Sequence, residues 1–261
     1  MNESARGPLR GAGIVITRPA RQAAGLASQV AAIGGTPLIF PAVVILPPGD
    51  VSALERVRRE LATYDAAVFV SANAVEYGVG DTAQWPPRLM CFAPGPGTAA
   101  ALAAVGVSDV QIPVTSMDSE GLLALPELES VAGKRIIIFR GSGGREHLGN
   151  TLAQRGASVE YVECYRRARP TAGVQGLVDA WREGRVDAVT VTSSEGLDNL
   201  WSLLDADGRA HLAATPVFAP HSRIAEHARS LGMARVILTD AADAGLLAAL
   251  LEYFAAHPTR T

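Results

Sequence analysis

Short apolar runs alternate along the chain with longer stretches whose apolar positions follow a helical period. The short runs predict buried strands, and the longer stretches predict amphipathic helices. Glycine closes several of the helical stretches, as is typical of helix C-termini. The strand-like runs are 15–16, 36–44, 67–70, 89–93, 108–112, 135–139, 158–165, 186–191, 215–219 and 234–238, and the helical stretches include 21–33, 51–62 and 96–105.

This alternation predicts parallel sheets that are covered by helices on both faces. Right-handed crossovers then bring the loops that follow the strands to one edge of each sheet. A chain of 261 residues is long enough for two domains of roughly 100–150 residues. We therefore predict an α/β fold with two doubly wound parallel-sheet domains.

The chain also repeats itself. Four segments recur in the same order at offsets of 121 to 126 positions, which is the pattern expected of an internal duplication. The matched segments are 13–35 with 134–156, 65–75 with 187–197, 92–107 with 218–233, and 120–126 with 244–250. The repeat predicts that the two domains are built from related units.

Six turns that follow predicted strands are small, hydroxylated, glycine-rich or basic, and each precedes a predicted helix. Helix N-termini present unpaired N–H groups and therefore favour anions. At any one turn, a serine or threonine can instead be an ordinary helix cap. The turns are Arg18-Pro19, Ser71-Ala72-Asn73, 94–98, 140–145, 192–194 and 221–223. As two repeat-related sets, they favour a large anionic ligand bound by both units.

Composition and motifs exclude several classes of function. The net charge of −3 provides no positive electrostatic field that would attract nucleic acid or a membrane surface. Glu146 occupies the third glycine position of a dinucleotide motif starting at Gly141. Lys134, the only lysine, precedes a strand, where neither a Schiff-base nor a Walker-type lysine is expected. No metal-ligand spacing is present, so we predict no metal and no cofactor.

Cellular context follows from the cysteines and from apolar runs. Cys91 and Cys164 are isolated and lie in apolar stretches, so we expect buried thiols in a reducing compartment. The first ten residues contain no apolar signal region, and no run approaches ~18 apolar residues. We therefore expect a cytoplasmic protein, and a monomer, because the sequence suggests no apolar surface patch.

An ordered set of segments resembles the uroporphyrinogen-III synthase family. No single segment is diagnostic, but together they cover about residues 13–250. They are TRP near the start, VFVSANAVE, APGPGTAAAL, RGSGGREHLGNTLAQRGASVEYVECYRR, VTSSEGLDNL and APHSRIAEHARSLG.

The resemblance implies two α/β domains joined by a two-stranded antiparallel linker. Carried over to this sequence, the linker strands are about 37–43 and 158–167. One domain is then 1–40 plus 168–261, and the other is 44–160. Each domain would combine part of one repeat with the complementary part of the other.

The resemblance also implies a cofactor-free lyase reaction. The family substrate is hydroxymethylbilane, a linear tetrapyrrole with eight carboxylates, which loses water and closes to uroporphyrinogen III with ring D inverted. Without enzyme the bilane closes to the type I isomer, so the protein must select one of two cyclisations. A barrier difference of ~3 kcal/mol is enough for more than a hundredfold preference, and orientation of the substrate can supply it.

Site residues follow from the same resemblance. Tyr165 matches the family's linker tyrosine and is the catalytic candidate, with an interface aromatic as the alternative. The substrate-binding candidates are Arg18, Ser71, Asn73, Gly97, Thr98, Arg140, Ser193, Ser194, Ser222 and Arg223. For Arg18 and Arg140 the alternative role is an ion pair with a neighbouring acid. For the serines, Asn73 and Thr98 the alternative role is helix capping. The second copy departs from the family at His221–Ile224, where many members have Gly-Pro-Thr-Thr.

Two other functions stay open on the sequence. One is a non-catalytic two-lobed protein that binds a small ligand, and the other is a regulatory protein that keeps the same fold. The departure at 221–224 leaves the second open, whereas the absence of a signal peptide disfavours a periplasmic-type receptor.

Overall fold

The computed structural model describes residues 7–80, 85–171 and 173–258. Residues 1–6, 81–84, 172 and 259–261, which fall inside the predicted domain ranges, lie outside the described residues. The described strands are β1 (Gly13–Ile16), β2 (Thr36–Ile39), β3 (Val44–Leu46), β4 (Ala66–Phe69), β5 (Met90–Phe92), β6 (Val110–Gln111), β7 (Arg135–Gly141), β8 (Ser158–Ala168), β9 (Ala188–Thr190), β10 (Val217–Ala219) and β11 (Val236–Leu238).

The described helices alternate with these strands, and each predicted strand run overlaps an observed strand. They are α1 (Ala20–Ala32), α2 (Ser52–Glu60), α3 (Ala72–Gly78), α4 (Pro96–Ala104), α5 (Ser119–Leu123), α6 (Pro126–Glu129), α7 (His147–Gln154), α8 (Gln175–Arg182), α9 (Ser194–Leu203), α10 (Ala206–Ala214), α11 (Ser222–Ser230) and α12 (Ala242–Ala256). None of the described helices is long and apolar enough to cross a membrane.

The chain divides into two compact units. Unit 1 consists of Met1–Val44 and Ala168–Thr261, and unit 2 consists of Ile45–Arg167. Unit 2 is therefore continuous in sequence, whereas unit 1 is assembled from the two ends of the chain.

Each unit contains its own sheet, and the two sheets have corresponding strand orders. The sheet of unit 1 has the order β11-β10-β9-β1-β2, with parallel pairing throughout. The other sheet has the order β6-β5-β4-β7-β8-β3, and its pairs from β6 to β8 are parallel. The prediction of parallel α/β sheets is confirmed.

The sequence repeat explains the matching orders. The repeat relates β1 to β7, β9 to β4 and β10 to β5, and these strands occupy equivalent positions in the two sheets. Because β1 and β9 come from different copies of the repeat, each sheet combines strands from both copies.

The first predicted linker segment, 37–43, contains most of β2, and the second, 158–167, lies within β8. The strand β3, which directly follows the first segment, is a neighbour of β8. Within unit 1, β2 pairs with β1, whereas β8 lies between β7 and β3 in the other sheet. The run 36–44, predicted as one strand, is divided into β2 and β3 around Pro41.

Both faces of each sheet are buried. In β7, Ile136 and Ile138 pack into one core cluster, and Ile137 and Phe139 pack into the cluster on the other face. Phe139 stacks on Phe69 with ring centroids 4.4 Å apart. Unit 1 likewise has two clusters. Val15 packs into one of them, and Ile14 and Ile16 pack into the cluster on the other face of the sheet. This burial fits the continuous apolar runs of the sequence.

Candidate functional site

The six predicted turns each precede a helix at the carboxyl edge of a sheet. In unit 2 they precede α3, α4 and α7, and in unit 1 they precede α1, α9 and α11. Ser71 Oγ accepts a hydrogen bond from Ala74 N at 3.1 Å, and Ser193 Oγ accepts one from Gly196 N at 3.0 Å. Both serines are thus helix N-caps, which was the alternative that the sequence left open.

Strand order marks where a ligand is expected in unit 2. From β4 the chain continues to β5 and β6 on one side of the sheet, and from β7 it continues to β8 on the other. Ligands of open parallel sheets bind beyond the carboxyl ends of the strands at such a switch point. Ser71 follows β4, and Arg140 lies at the carboxyl end of β7, so two predicted site residues lie at this position.

A cavity of about 190 Å³ lies at this edge of unit 2. Three arginines and no acidic residue contribute to its described lining, which makes it positively charged. The polar lining residues are Ser119, Arg140, Ser142, Arg145, Tyr161, Tyr165 and Arg167. Such a lining suits carboxylate or phosphate groups.

Two nitrogen atoms of the Arg140 guanidinium lack hydrogen-bond partners among the described residues. The guanidinium lies over the ring of Tyr161, 4.1 Å from the ring centroid. Its Nε and Nη1 atoms are buried and have no hydrogen-bond partner among the described residues. A buried polar group without a partner is costly. An anion bound in the cavity would compensate the positive charge of Arg140.

Tyr161 supports Arg140 from the neighbouring strand. Its hydroxyl accepts from Gly149 N at 3.0 Å and donates to the Glu146 carbonyl at 3.1 Å. A Cβ at position 149 would lie 2.1 Å from that hydroxyl, so glycine is required there. The ring that carries the Arg140 guanidinium is thereby fixed to the first turn of α7.

The loop between β7 and α7 is bound to β8 along its length. Ser142 N donates to the Tyr165 carbonyl at 2.8 Å, and Gly143 N donates to Glu163 Oε1 at 3.0 Å. Gly143 and Gly144 have positive φ values of 72° and 113°, which glycine adopts without strain. These contacts hold the loop backbone at the cavity.

Tyr165 is directed into the site by a bulge in β8. Arg140 pairs with Glu163, but Gly141 pairs with Tyr165, so Cys164 is an extra residue. Bulges re-aim side chains and are common beside active sites. As a result, Tyr165 joins the core cluster that contains its neighbour Cys164, and it is 2% exposed.

The Tyr165 ring packs closely against Gly141, where a Cβ would lie 2.6 Å from ring carbons. Its hydroxyl lies 3.2 Å from Ser71 Oγ. The structure thus brings Tyr165, Ser71 and Gly141 together, and Tyr165 also lines the cavity with Arg140.

The remaining unit 2 candidates lie on α3 and α4, outside the described lining of this cavity. Asn73 is in the first turn of α3, and Gly97 is exposed in the first turn of α4. Thr98 is 8% exposed. The N-cap of α4 is Gly95, so the capping alternative for Thr98 is wrong.

In unit 1, Arg18 forms an ion pair with Asp243 in the first turn of α12. The acid partner that the sequence left open is therefore present, and it compensates the Arg18 charge. Ser194 begins α9, and Ser222 and Arg223 are exposed in the first turn of α11.

Sequence reasoning did not single out Tyr161, Arg145 or Arg167. Arg145 lies in the predicted turn 140–145, and the other two lie in β8, which was predicted as a linker strand. The parallel pairing of β7 with β8 was the available signal, because it places Tyr161 beside Ile138 near the end of β7.

Neither thiol supplies a nucleophile. Both cysteines are free and buried, as expected from the sequence. Burial raises the pKa of Cys91 to about 11 and the pKa of Cys164 to about 12, so both stay protonated near neutral pH. No group of three or more potential metal ligands occurs in the described parts of the chain.

Comparison with known proteins identifies relatives over most of the sequence. The model of the family described as uroporphyrinogen-III synthase HemD matches residues 24–248. Uroporphyrinogen-III synthase of Salmonella typhimurium is 36% identical over 236 residues, covering 88% of this chain and 96% of the relative. Uroporphyrinogen-III synthase of Escherichia coli K12 is 35% identical over 237 residues, with coverage of 88% and 96%.

Solved structures share the fold. A mutant uroporphyrinogen III synthase from Thermus thermophilus has a TM-score of 0.56 at 20% identity, covering 92% of this chain and 99% of its own. Uroporphyrinogen-III synthetase from Helicobacter pylori has a TM-score of 0.51 at 11% identity, with coverage of 94% and 99%. Because the family model spans most of the sequence and two relatives are 35–36% identical, the chain belongs to the uroporphyrinogen-III synthase family.

Proposed function

We propose that the protein converts hydroxymethylbilane to uroporphyrinogen III, closing the ring with inversion of ring D and loss of water. The observation that carries this proposal beyond family membership is the cationic cavity of unit 2. It combines the unsatisfied donors of Arg140 with the phenol of Tyr165, at the switch point of a parallel sheet.

The carboxylates of the bilane are the groups that this cavity recognises. Arg140 supplies two unsatisfied donors, and Arg145 and Arg167 add positive charge at the rim. The cavity is smaller than the ~300–1,000 Å³ of typical ligand pockets, so it takes only part of the substrate. The other carboxylates bind at the remaining carboxyl-edge turns, through Asn73, Gly97, Thr98, Arg18, Ser193, Ser194, Ser222 and Arg223.

Tyr165 assists the departure of the terminal hydroxyl. Its phenol gives a proton to that hydroxyl as the C–O bond breaks and water leaves. The nitrogen of the pyrrole ring that carried this hydroxymethyl group gives up its proton to the Tyr165 phenolate, and a neutral azafulvene forms. The substituted α-carbon of ring D attacks the azafulvene, and the resulting spiro-pyrrolenine reopens and recloses with ring D inverted. The protein's main task is to hold the bilane in the geometry for this attack.

The family's linker, the cytoplasmic location and the monomeric state remain predictions from sequence. The chain passes between the two units at Val44–Ile45 and at Arg167–Ala168. These two passages are the positions that we propose for the linker.

Freshly generated hydroxymethylbilane, followed by isomer analysis of the oxidised products, tests the proposed activity. We expect the type III isomer with the protein and type I without it. If the well-folded protein gave type I alone, the proposal would be wrong.

Arg140→Met tests the role of the cavity, because it keeps an apolar stem on Tyr161 and removes the cation. We expect KM to rise roughly tenfold, about the effect of one charge-assisted hydrogen bond. Arg135→Met is the matched control. Arg135 stands at the other end of β7 and lies over the Tyr64 ring at 4.7 Å, so its loss should leave KM unchanged. Equal KM in both variants would exclude Arg140 from substrate binding.

A further inference from the structure

Ser71 makes two hydrogen-bond contacts, and they need different parts of its hydroxyl. Ser71 Oγ accepts from Ala74 N at 3.1 Å and lies 3.2 Å from the Tyr165 hydroxyl. A serine hydroxyl has one hydrogen to donate and two lone pairs to accept with. Because the helix cap occupies a lone pair, the hydrogen remains available for Tyr165.

Tyr165 is held so that this contact persists. Its side chain is 2% exposed, and its ring lies against Gly141. The β8 bulge fixes its direction, since Tyr165 pairs with Gly141 one residue out of register. If Ser71 donates to the phenol oxygen, the phenol's own hydrogen must point elsewhere. The cavity that Tyr165 lines provides the space for the phenol hydrogen.

We infer that Ser71 is a positioning residue, whose hydroxyl donates to the Tyr165 phenol oxygen and directs the phenol O–H into the cavity. This inference rests on the proposed function, in which that O–H protonates the leaving hydroxyl of the substrate. It gives Ser71 an action through Tyr165 that neither helix capping nor direct substrate binding provides.

The internal repeat separates this role from capping. Ser193 caps α9 with the same geometry, through Gly196 N at 3.0 Å. At the offset of 122 positions, the counterpart of Tyr165 is Val43, and it lies near Gly196, whose Cβ would be 3.6 Å from Val43 Cγ2. A capping serine therefore does not need a phenol beside it, so the phenol contact in unit 2 calls for its own explanation.

Three substitutions at position 71 divide the two functions of the hydroxyl. Ser71→Gly removes the hydroxyl but destabilises the helix only slightly, because glycine is itself tolerated at the N-cap. Ser71→Thr keeps both the cap and the donor. Ser71→Asp keeps the cap, but its carboxylate only accepts hydrogen bonds, so the phenol would donate to it and turn away from the cavity.

We expect Ser71→Gly and Ser71→Asp to lower kcat by roughly tenfold, a fraction of what general-acid catalysis contributes. Their KM should stay within about twofold, and Ser71→Thr should restore most of kcat. Asp205→Gly is the control for loss of a cap alone, because Asp205 caps α10 through Gly208 N at 2.8 Å. Its kcat should be unchanged. Full kcat in well-folded Ser71→Asp would overturn the inference.

A double-mutant cycle with Tyr165→Phe gives the sharpest test. If Ser71 acts through the phenol, Ser71→Gly should cause no further loss of kcat in the Tyr165→Phe background. Losses that multiply would show that Ser71 acts independently, which would overturn the inference while leaving the cyclisation activity intact. Formation of type I alone by the wild-type protein would instead overturn the proposed function.

Discussion

At the scale of the residue, Gly141 determines how Tyr165 is held. A Cβ at this position would lie 2.6 Å from the Tyr165 ring and 3.0 Å from its hydroxyl. The 2.6 Å distance to the ring carbons is shorter than real Cβ contacts, so even a methyl group must displace the ring. The need for glycine here comes from close approach and not from a positive φ.

Gly141→Ala should therefore move the phenol and lower kcat by roughly tenfold, with a loss of stability of ~1–3 kcal/mol from overpacking. Steady-state kinetics and thermal unfolding would measure both effects. Gly25→Ala is the control, since its Cβ would meet nothing within 4 Å in α1. It should raise stability by about 0.5–1 kcal/mol and leave kcat unchanged. An unaltered kcat in Gly141→Ala would show that the position of the ring does not matter.

The sequence indicated some of the site at this scale and missed the rest for identifiable reasons. Arg140 and Ser71 follow predicted strands, and the turns after those strands could be recognised from periodicity, although Arg140 itself lies at the end of β7. That Tyr161 supports the Arg140 guanidinium depends on the register between β7 and β8. That Arg18 pairs with Asp243 depends on a contact between residues far apart in sequence. Neither relation is visible in a local pattern.

At the scale of the element, β8 performs two functions along its length. Its carboxyl end carries the bulge and Tyr165, and its amino half is held to α2. There Glu160 accepts hydrogen bonds from Arg56 and from Tyr64. Burial alone would raise the pKa of Glu160, but the hydrogen bonds and the Arg56 charge outweigh it and lower that pKa. The ionised form is thus favoured in the folded protein.

A lowered folded pKa contributes stability above the unfolded pKa of ~4.3, and this stability is lost as the pH falls through the folded pKa. Glu160→Gln should cost up to about 1 kcal/mol at pH 7, because the pair is partly exposed. The difference from wild type should shrink as the pH falls below ~4. Urea unfolding at pH 7 and at a pH below ~4 measures this difference in the free energy of unfolding. Glu129→Gln, at an exposed position, is the control. A pH-independent difference would contradict this account.

At the scale of the whole molecule, the repeat gives two sheets of corresponding order from interleaved segments. Parallel α/β architecture followed from strand and helix periods, and it is confirmed. Which strands pair with the predicted linker strands could not be predicted from the sequence, because several apolar strands are possible neighbours at each sheet edge. Pro41 was the available local signal that the run 36–44 is interrupted.

The division of unit 1 between the two ends of the chain has a consequence for biosynthesis. In the sheet of unit 1, β1 lies between β2 and β9, so its pairing cannot be completed until the ribosome has made β9 at Ala188–Thr190. Unit 2 ends at Arg167 and contains both cysteines in one core cluster. On nascent chains, we expect the thiols of Cys91 and Cys164 to become protected from alkylation once residue 167 has emerged, at a stage when β1 is not yet paired with β9.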